Sequence, residues 1–305
     1  MLEDRVVFVN GKFIPWKHAN VHIMSHSFSR GSALFEVLSV HNTTFGPAVF
    51  RLDEHVDRLS RTAELVDFKL PLSQKELSKA VLDTVQRNAV NSGFIKILAY
   101  LPQVAFTIIP PDNPLELSVC VVDPIKDLGG LNISFEKGYT ACVSKWRKLD
   151  PQTVPVEAKV SANYLNGMMA NVEAIKRGFD NAIMLDTQGF IAESGTDSVF
   201  FIKEGKILTP SLGTVLKGIS RKSIIQIAEK FGIDSIEGRL RPQLIYDADE
   251  IFLSSTLMKV MPVRKMEERQ MPRTPGPVTK KLAEIMNEIL AGKNEQFRDW
   301  LYPLS

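Results

Sequence analysis

The chain has 305 residues, of which 44% are hydrophobic and 24% are charged. This composition is typical of a globular protein with a sizeable core, and it excludes a disordered or collagen-like chain. The 37 basic and 35 acidic residues leave a formal net charge of +2, which disfavours nucleic acid or an anionic membrane as a partner. Two cysteines, no secretory signal and no bilayer-spanning apolar run lead us to expect a cytoplasmic protein.

Residues 1–122 predict a small N-terminal α/β domain. It opens with a β-hairpin, because Asn10-Gly11 lies between two apolar runs and supplies the positive φ angles of a type I′ turn. An amphipathic helix is predicted over residues 52–66, and a second one starts at a capping box formed by Ser73 and Glu76. Apolar runs then predict strands at residues 94–101, 104–109 and 117–122.

A larger second domain is predicted from residue 134 to residue 305, after an interdomain linker at residues 123–133 that is rich in Asp, Pro and Gly. Its first helix carries Leu165, Met168 and Val172 on one face and ends near Gly178, a residue suited to the left-handed position after a helix. Strand hairpins and two further helices follow. The pattern predicts a mixed α/β fold of two domains, with the active site in the cleft between them.

Two segments could carry chemistry, one as a phosphate-binding turn and the other as a Schiff-base lysine, although the residues alone leave both open. Residues 213–220 form a glycine-containing turn before a helix, whose first amides can hold a phosphate; a plain loop with Ser220 as N-cap is the simpler alternative. Ile219 stands where a Walker motif needs its lysine, so ATP hydrolysis is not expected. Lys159 is isolated in a mostly uncharged stretch. A desolvated lysine forms a Schiff base readily, but composition alone favours an exposed lysine with an ordinary pKa.

The segment around Lys159 resembles a known motif. Pro155-x-x-Ala158-Lys159-x-x-x-Asn163-Tyr164-Leu165 is similar to the cofactor-lysine motif of class IV, fold-type IV, pyridoxal-phosphate aminotransferases, among which the branched-chain amino-acid aminotransferases look most similar. The resemblance runs nearly end to end, through Phe8-Val9-Asn10-Gly11, Gly31-x-x-x-Phe35-Glu36, Glu54-His55-x-x-Arg58-Leu59, Ile191-x-Glu193, Gly218-Ile219-Ser220-Arg221 and Ser254-x-Thr256.

The resemblance implies how the chain binds pyridoxal 5′-phosphate. It implies that Lys159 is the catalytic residue, which holds the cofactor as a Schiff base and then moves a proton between substrate and cofactor. It also implies that Glu193 pairs with the pyridine nitrogen and that Tyr164 lies near the phenolic oxygen. The remaining cofactor contacts that it implies come from Arg58, Gly218, Ile219, Ser220 and Thr256.

On the substrate side the chain departs from the family pattern. The substrate residues that the resemblance implies are Arg30, Phe35, Lys96, Thr256 and Leu257. Branched-chain enzymes commonly carry tyrosine where this chain has Arg30, arginine where it has Lys96 and another tyrosine near Asp127, and related enzymes often carry asparagine at Ser198. The positive charges at positions 30 and 96 still suit a substrate α-carboxylate.

The reaction that the resemblance implies is transfer of an amino group from a branched-chain or other apolar L-amino acid to 2-oxoglutarate by a homodimer. Three alternatives share the fold type: D-amino-acid transaminase, (R)-amine transaminase and aminodeoxychorismate lyase. An alternative of another class is a non-catalytic phosphate-ligand binding protein. No metal site is predicted, because no carboxylate or thiol cluster completes the pair His22 and His26.

Overall fold

A computed structural model describes residues 2–112, 114–130 and 134–304 of the chain. The strands are β1 (Val6–Val9), β2 (Lys12–Pro15), β3 (Leu34–Thr43), β4 (Gly46–Phe50), β5 (Gly93–Tyr100), β6 (Glu116–Val122), β7 (Tyr139–Val143), β8 (Asn181–Leu185), β9 (Ile191–Ser194), β10 (Ser198–Lys203), β11 (Lys206–Pro210), β12 (Ser235–Gly238), β13 (Glu250–Ser254), β14 (Met261–Met266), β15 (Arg269–Gln270) and β16 (Leu301–Pro303). The α-helices are α1 (His26–Arg30), α2 (Leu52–Leu65), α3 (Gln74–Arg87), α4 (Pro124–Leu128), α5 (Tyr164–Lys176), α6 (Ile219–Lys230), α7 (Leu244–Asp247) and α8 (Pro277–Leu290).

The chain divides into two compact units. Unit 1 consists of Met1–Asn132, Ala158–Ala162 and Glu288–Ser305, and unit 2 consists of Ile133–Glu157 and Asn163–Asn287. This division differs from the predicted continuous second domain, because residues 158–162 join unit 1 through backbone contacts to β3 and because β16 pairs with β4. Residues 131–133 of the predicted linker lie outside the described residues.

Unit 1 is built on an antiparallel sheet of seven strands in the order β16-β4-β3-β5-β6-β1-β2. Alternate residues of the central strands, such as Leu38, Ile97 and Val119, are fully buried and share a hydrophobic core with Val56 of α2 and Leu77 of α3. Because side chains alternate across a strand, the residues between them lie on the opposite face of the sheet. That second face carries Phe35 of β3 and Lys96 of β5, whereas Glu36 lies on the face of Leu38 and bonds Arg58 of α2.

Unit 2 contains a mixed sheet in the order β12-β11-β10-β13-β14-β7-β8-β9, with β15 paired to β14. The pairs β11 with β12, β14 with β7 and β7 with β8 are parallel. Continuous apolar strands, including the fully buried Ile183, Phe201 and Phe252, form its interior. Within the described part of the chain, no helix combines the length and apolar character that a membrane crossing requires.

Several local predictions are confirmed. The N-terminal hairpin is present, with Asn10 at φ 45° and Gly11 at φ 85°, and the capping box of Ser73 and Glu76 starts α3. Helix α5 ends before Gly178, which has φ 81°.

The predicted strand at residues 104–109 is wrong, because only Val104 makes an isolated bridge and Phe106 is 77% exposed. Pro102, Pro110 and Pro111 lie close on both sides of this segment, and proline cannot donate a ladder hydrogen bond.

Candidate active site

Lys159 lies on a short segment that unit 1 holds by its backbone. The Lys159 amide donates a hydrogen bond of 3.1 Å to Thr62 Oγ1, and its carbonyl accepts one of 3.1 Å from the Phe35 amide. Val160 forms a β-bridge with Leu34 at the start of β3. Lys159 is 8% exposed, so this lysine is buried rather than a surface residue.

The ring of Phe35 brings two predicted site lysines together. Lys159 Nζ lies 4.5 Å from the ring centroid and Lys96 Nζ lies 5.5 Å from it, both within the range of a cation–π contact. Lys96 is exposed on β5. Arg30 is exposed as well, and its guanidinium donates to the carbonyl of Phe106 at 3.2 Å, so its described contact is with backbone.

Arg58 is held by a buried carboxylate. Its Nε lies 2.7 Å from Glu36 Oε1 and a terminal nitrogen lies 2.8 Å from Oε2, which is the bidentate geometry of a strong arginine–carboxylate pair. His55 Nδ1 lies 2.7 Å from the same Oε2. One helical turn after Arg58 on α2, Thr62 contacts the Lys159 backbone. Residues of α2 and β3 therefore hold both the Arg58 guanidinium and the Lys159 backbone.

Glu36 is fully buried. Burial alone would raise the pKa of this carboxyl group, but the charge and hydrogen bonds of Arg58, with His55, outweigh it and lower the pKa from 4.5 to about 2. A lowered folded-state pKa stabilises the protein above pH 4.5, and this contribution is lost as the pH falls from 4.5 towards 2. The ion pair thus fixes Arg58, and its contribution to the free energy of unfolding decreases at acid pH.

Replacing Glu36 by glutamine is expected to destabilise unit 1. The variant leaves the partly buried Arg58 without its counter-charge, so we expect a loss of roughly 3 kcal/mol in unfolding free energy at pH 7. Urea unfolding at pH 7 and pH 3 measures it, and the difference from wild type should shrink at pH 3. Glu64→Gln, an exposed carboxylate on the same helix, is the matched control; equal stabilities of wild type and Glu36→Gln at pH 7 would contradict the prediction.

Unit 2 places Glu193 at the centre of a small polar network. Glu193 lies on β9 and is 8% exposed, with Lys148 Nζ 2.5 Å from its Oε1. The Leu216 amide donates to its Oε2 at 3.3 Å. Glu193 is thereby tied to the turn before α6. The sequence motifs do not reveal Lys148 as a partner of Glu193, because the two residues are 45 positions apart and Lys148 lies in an irregular segment.

The predicted phosphate turn leads into α6. The helix begins at Ile219 with Gly218 as N-cap, so Ser220 is the second helical residue and not the N-cap. Glycine has no side chain to accept from the first helical amides, and those amides lack intrahelical partners. A Cβ on Gly218 would come within 2.9 Å of Ser198 Oγ, so a larger residue here would require the Ser198 side chain to move. The result is an amide-lined helix N-terminus suited to an anion.

The remaining predicted residues of unit 2 lie at the ends of elements. Tyr164 is half-buried at the first position of α5. Thr256 is half-buried and Leu257 is 50% exposed in the turn after β13.

Asp127, a departure from the family pattern in unit 1, accepts hydrogen bonds from Arg5 Nε at 3.0 Å and from the Asp123 amide at 2.8 Å. Burial would raise the pKa of Asp127, but these bonds and the charge of Arg5 lower it. The described contacts give Asp127 a structural role.

Comparisons with known proteins agree across the chain. Residues 33–266 match the sequence model of the amino-transferase class IV family. The branched-chain-amino-acid aminotransferase of Salmonella typhimurium is 32% identical over 301 residues, covering 98% of this chain and 97% of that protein. The enzyme of the same name from Escherichia coli K12 is 32% identical over 297 residues, covering 97% and 96%.

Solved structures give the same result. The crystal structure of the T.th. branched-chain amino acid aminotransferase with pyridoxamine 5′-phosphate matches with a TM-score of 0.94 at 31% identity, and each chain is covered completely. The branched-chain aminotransferase of Thermoproteus uzoniensis with norvaline matches with a TM-score of 0.93 at 32% identity, covering 99% of both chains.

Proposed function

The chain belongs to the class IV aminotransferases, and on that premise we propose that it transfers the amino group of a branched-chain L-amino acid to 2-oxoglutarate with pyridoxal 5′-phosphate as cofactor. The family prediction, the mixed α/β fold with two sheets and the prediction of a pyridoxal-phosphate-dependent transaminase are confirmed. The observation that carries the proposal is the buried amine of Lys159 on a segment fixed at both its amide and its carbonyl.

The residues present fit the cofactor. The amide-lined N-terminus of α6 at Ile219 and Ser220 offers donors to a phosphate, and Arg58 has its guanidinium fixed by Glu36. Glu193 provides a carboxylate for a pyridine nitrogen. When bound, pyridoxal phosphate supplies an aldehyde that links to amines and a ring that accepts an electron pair.

The proposed roles of the chain's own residues follow from this fit. Lys159, buried beside an aromatic ring, presents an amine that can anchor the cofactor and carry a proton at Nζ. Glu193, already fixed by Lys148 and by the Leu216 amide, needs little reorganisation to hold a protonated ring nitrogen. Lys96 offers a point charge to a substrate carboxylate, without the bidentate geometry of an arginine.

A donor panel tests the substrate class. We expect leucine with 2-oxoglutarate to exceed glutamate with pyruvate, D-alanine and (R)-1-phenylethylamine by at least about 10-fold in kcat/KM, since discrimination by an apolar pocket is commonly of this order. Product acids and amines are followed by chromatography. Faster turnover of D-alanine or of the (R)-amine would contradict the proposal and assign another fold-type IV reaction, and pyruvate release without an amino acceptor would indicate a lyase.

We also propose that the protein is a homodimer. Helix α5 buries Gly167, Ala170 and Ala174, whereas its other side exposes an apolar stripe at helical spacing. The stripe consists of Leu165 (57% exposed), Met168 (55%), Val172 (42%) and Ile175 (64%). A continuous exposed apolar patch of this kind is typical of an interface.

Charges on the stripe are expected to separate the proposed dimer. Leu165→Glu combined with Val172→Glu buries two carboxylates in the interface, so light scattering should fall from about twice the 34.1 kDa chain mass to one chain mass. The control, Lys75→Glu on the exposed side of α3, should keep the wild-type mass. A wild-type mass of one chain would refute the dimer.

A further inference from the structure

Unit 1 contains an open cleft on the sheet face opposite α2 and α3. Its volume is about 470 Å³, within the range of small-molecule sites. Leu98 and Tyr100 of β5 and Glu116 and Ser118 of β6 form its floor, and Val21 and Phe28 lie among its walls. The strand register pairs Leu98 with Ser118 and Tyr100 with Glu116, so the floor is formed by two hydrogen-bonded strands.

Glu116 is the only acidic residue among those that line the cleft in the described chain. Its described polar contact is with the Tyr100 hydroxyl, which donates to Oε2 over a long 3.4 Å. In the ranges that the structure describes, no lysine, arginine or histidine forms an ion pair with Glu116. A half-buried carboxylate without a counter-charge is costly unless a cation or water satisfies it.

The other lining groups limit what such a cation would look like. Burial and the charge of Glu116 raise the pKa of Tyr100 to about 12, so its hydroxyl remains a donor. Phe28 is 69% exposed, and an aromatic face attracts a cation. Val21 and Leu98 offer only apolar contact. The cleft therefore combines one acidic side chain with apolar and aromatic groups, and its lining also includes His18, Asn20, Ser25, Ser27 and Ser161.

We propose that this cleft binds a small organic ammonium ion, with the charged nitrogen on Glu116 and the apolar body against Val21, Phe28 and Leu98. The site adjoins the residues assigned to the substrate, because Leu98 pairs with Phe35 across β5 and β3. The charge of Glu116 is opposite to that of Lys96, which lies two residues before Leu98 on β5. The proposal does not depend on transamination, since no residue of the proposed cofactor site takes part.

Isothermal titration of the holoenzyme with N,N-dimethylbutylamine at about pH 7.5 tests the proposal. This tertiary amine is charged at that pH and cannot form a carbon–nitrogen double bond with an aldehyde, so its binding is separate from the proposed chemistry. We expect saturable binding that weakens about 10-fold or more in Glu116→Gln, as expected for loss of a hydrogen bond to a charged group. The neutral N,N-dimethylbutyramide should bind no better to wild type than to the variant.

Two further variants keep the test decisive. Glu64→Gln removes an exposed carboxylate of the same unit and should bind the amine like wild type. Ser118→Lys places an ammonium group on the same face of β6 as Glu116 and should abolish binding of the amine. This variant keeps the proposal testable if Glu116→Gln does not fold. Absence of saturable binding by wild type, or equal affinity in wild type and Ser118→Lys, would overturn the proposal whether or not the protein is a transaminase.

Discussion

Replacing Lys159 by alanine is expected to lower kcat for leucine and 2-oxoglutarate by about 10⁴-fold or more. The change removes both the amine that anchors the cofactor and the group that carries the proton, and a positioned acid–base group alone contributes up to about 10⁴-fold. Coupled assays of glutamate formation measure the loss. Mass spectrometry of borohydride-treated wild type should locate the pyridoxyl group on the peptide that contains Lys159.

The conservative variant sharpens this test. Lys159→Arg keeps a positive charge, but a guanidinium stays protonated and cannot replace a neutral amine, so it should be as inactive as alanine. Lys79→Ala, at an exposed position of α3, should retain wild-type turnover. A Lys159→Ala enzyme within about 10-fold of wild type would remove the basis of the proposed chemistry and favour a phosphate-ligand binding protein.

Replacing Glu193 by glutamine is expected to slow turnover by roughly 10²- to 10³-fold, the loss found when one preorganised electrostatic partner is removed. Glutamine has nearly the same shape, but it cannot supply the negative charge that keeps a ring nitrogen protonated. The variant should still bind the cofactor, which absorbance titration measures.

A primary isotope effect identifies the affected step. With α-deuterated leucine, the effect on kcat should increase in Glu193→Gln if proton removal has become slower. Glu229→Gln, on the exposed surface of α6, serves as the control. An unchanged rate and isotope effect in Glu193→Gln would disprove the electrostatic role of this carboxylate.

Local signals in the sequence were sufficient where one residue type determines the geometry. Asn10-Gly11 defines a turn by its allowed φ angles, and the Ser73–Glu76 pair defines a helix start by reciprocal hydrogen bonds. The apolar run at 104–109 misled because apolar content indicates a strand only when the backbone finds a partner. Phe106 and its neighbours are exposed to solvent, and the apolar sequence by itself does not predict this exposure.

The candidate site was predictable only as far as the resemblance named its residues. The family motif identified Lys159, Glu193 and the turn before α6, but these roles stay predictions until the variants are made. Pairings between distant positions, such as Lys148 with Glu193 and Arg58 with Glu36, arise from tertiary packing. No spacing rule for helices or strands connects them.

The chain passes back and forth between the two units, and this path sets the stage of synthesis at which unit 1 can be completed. The chain passes between the units after residues 132, 157, 162 and 287, so neither unit corresponds to one continuous stretch of coding sequence. The seven-stranded sheet lacks its edge strand β16 until residues 301–303 have been translated, although its other six strands are complete by residue 122. Because unit 1 includes residues before position 133 and after position 287, a single break of the chain between these positions divides that unit.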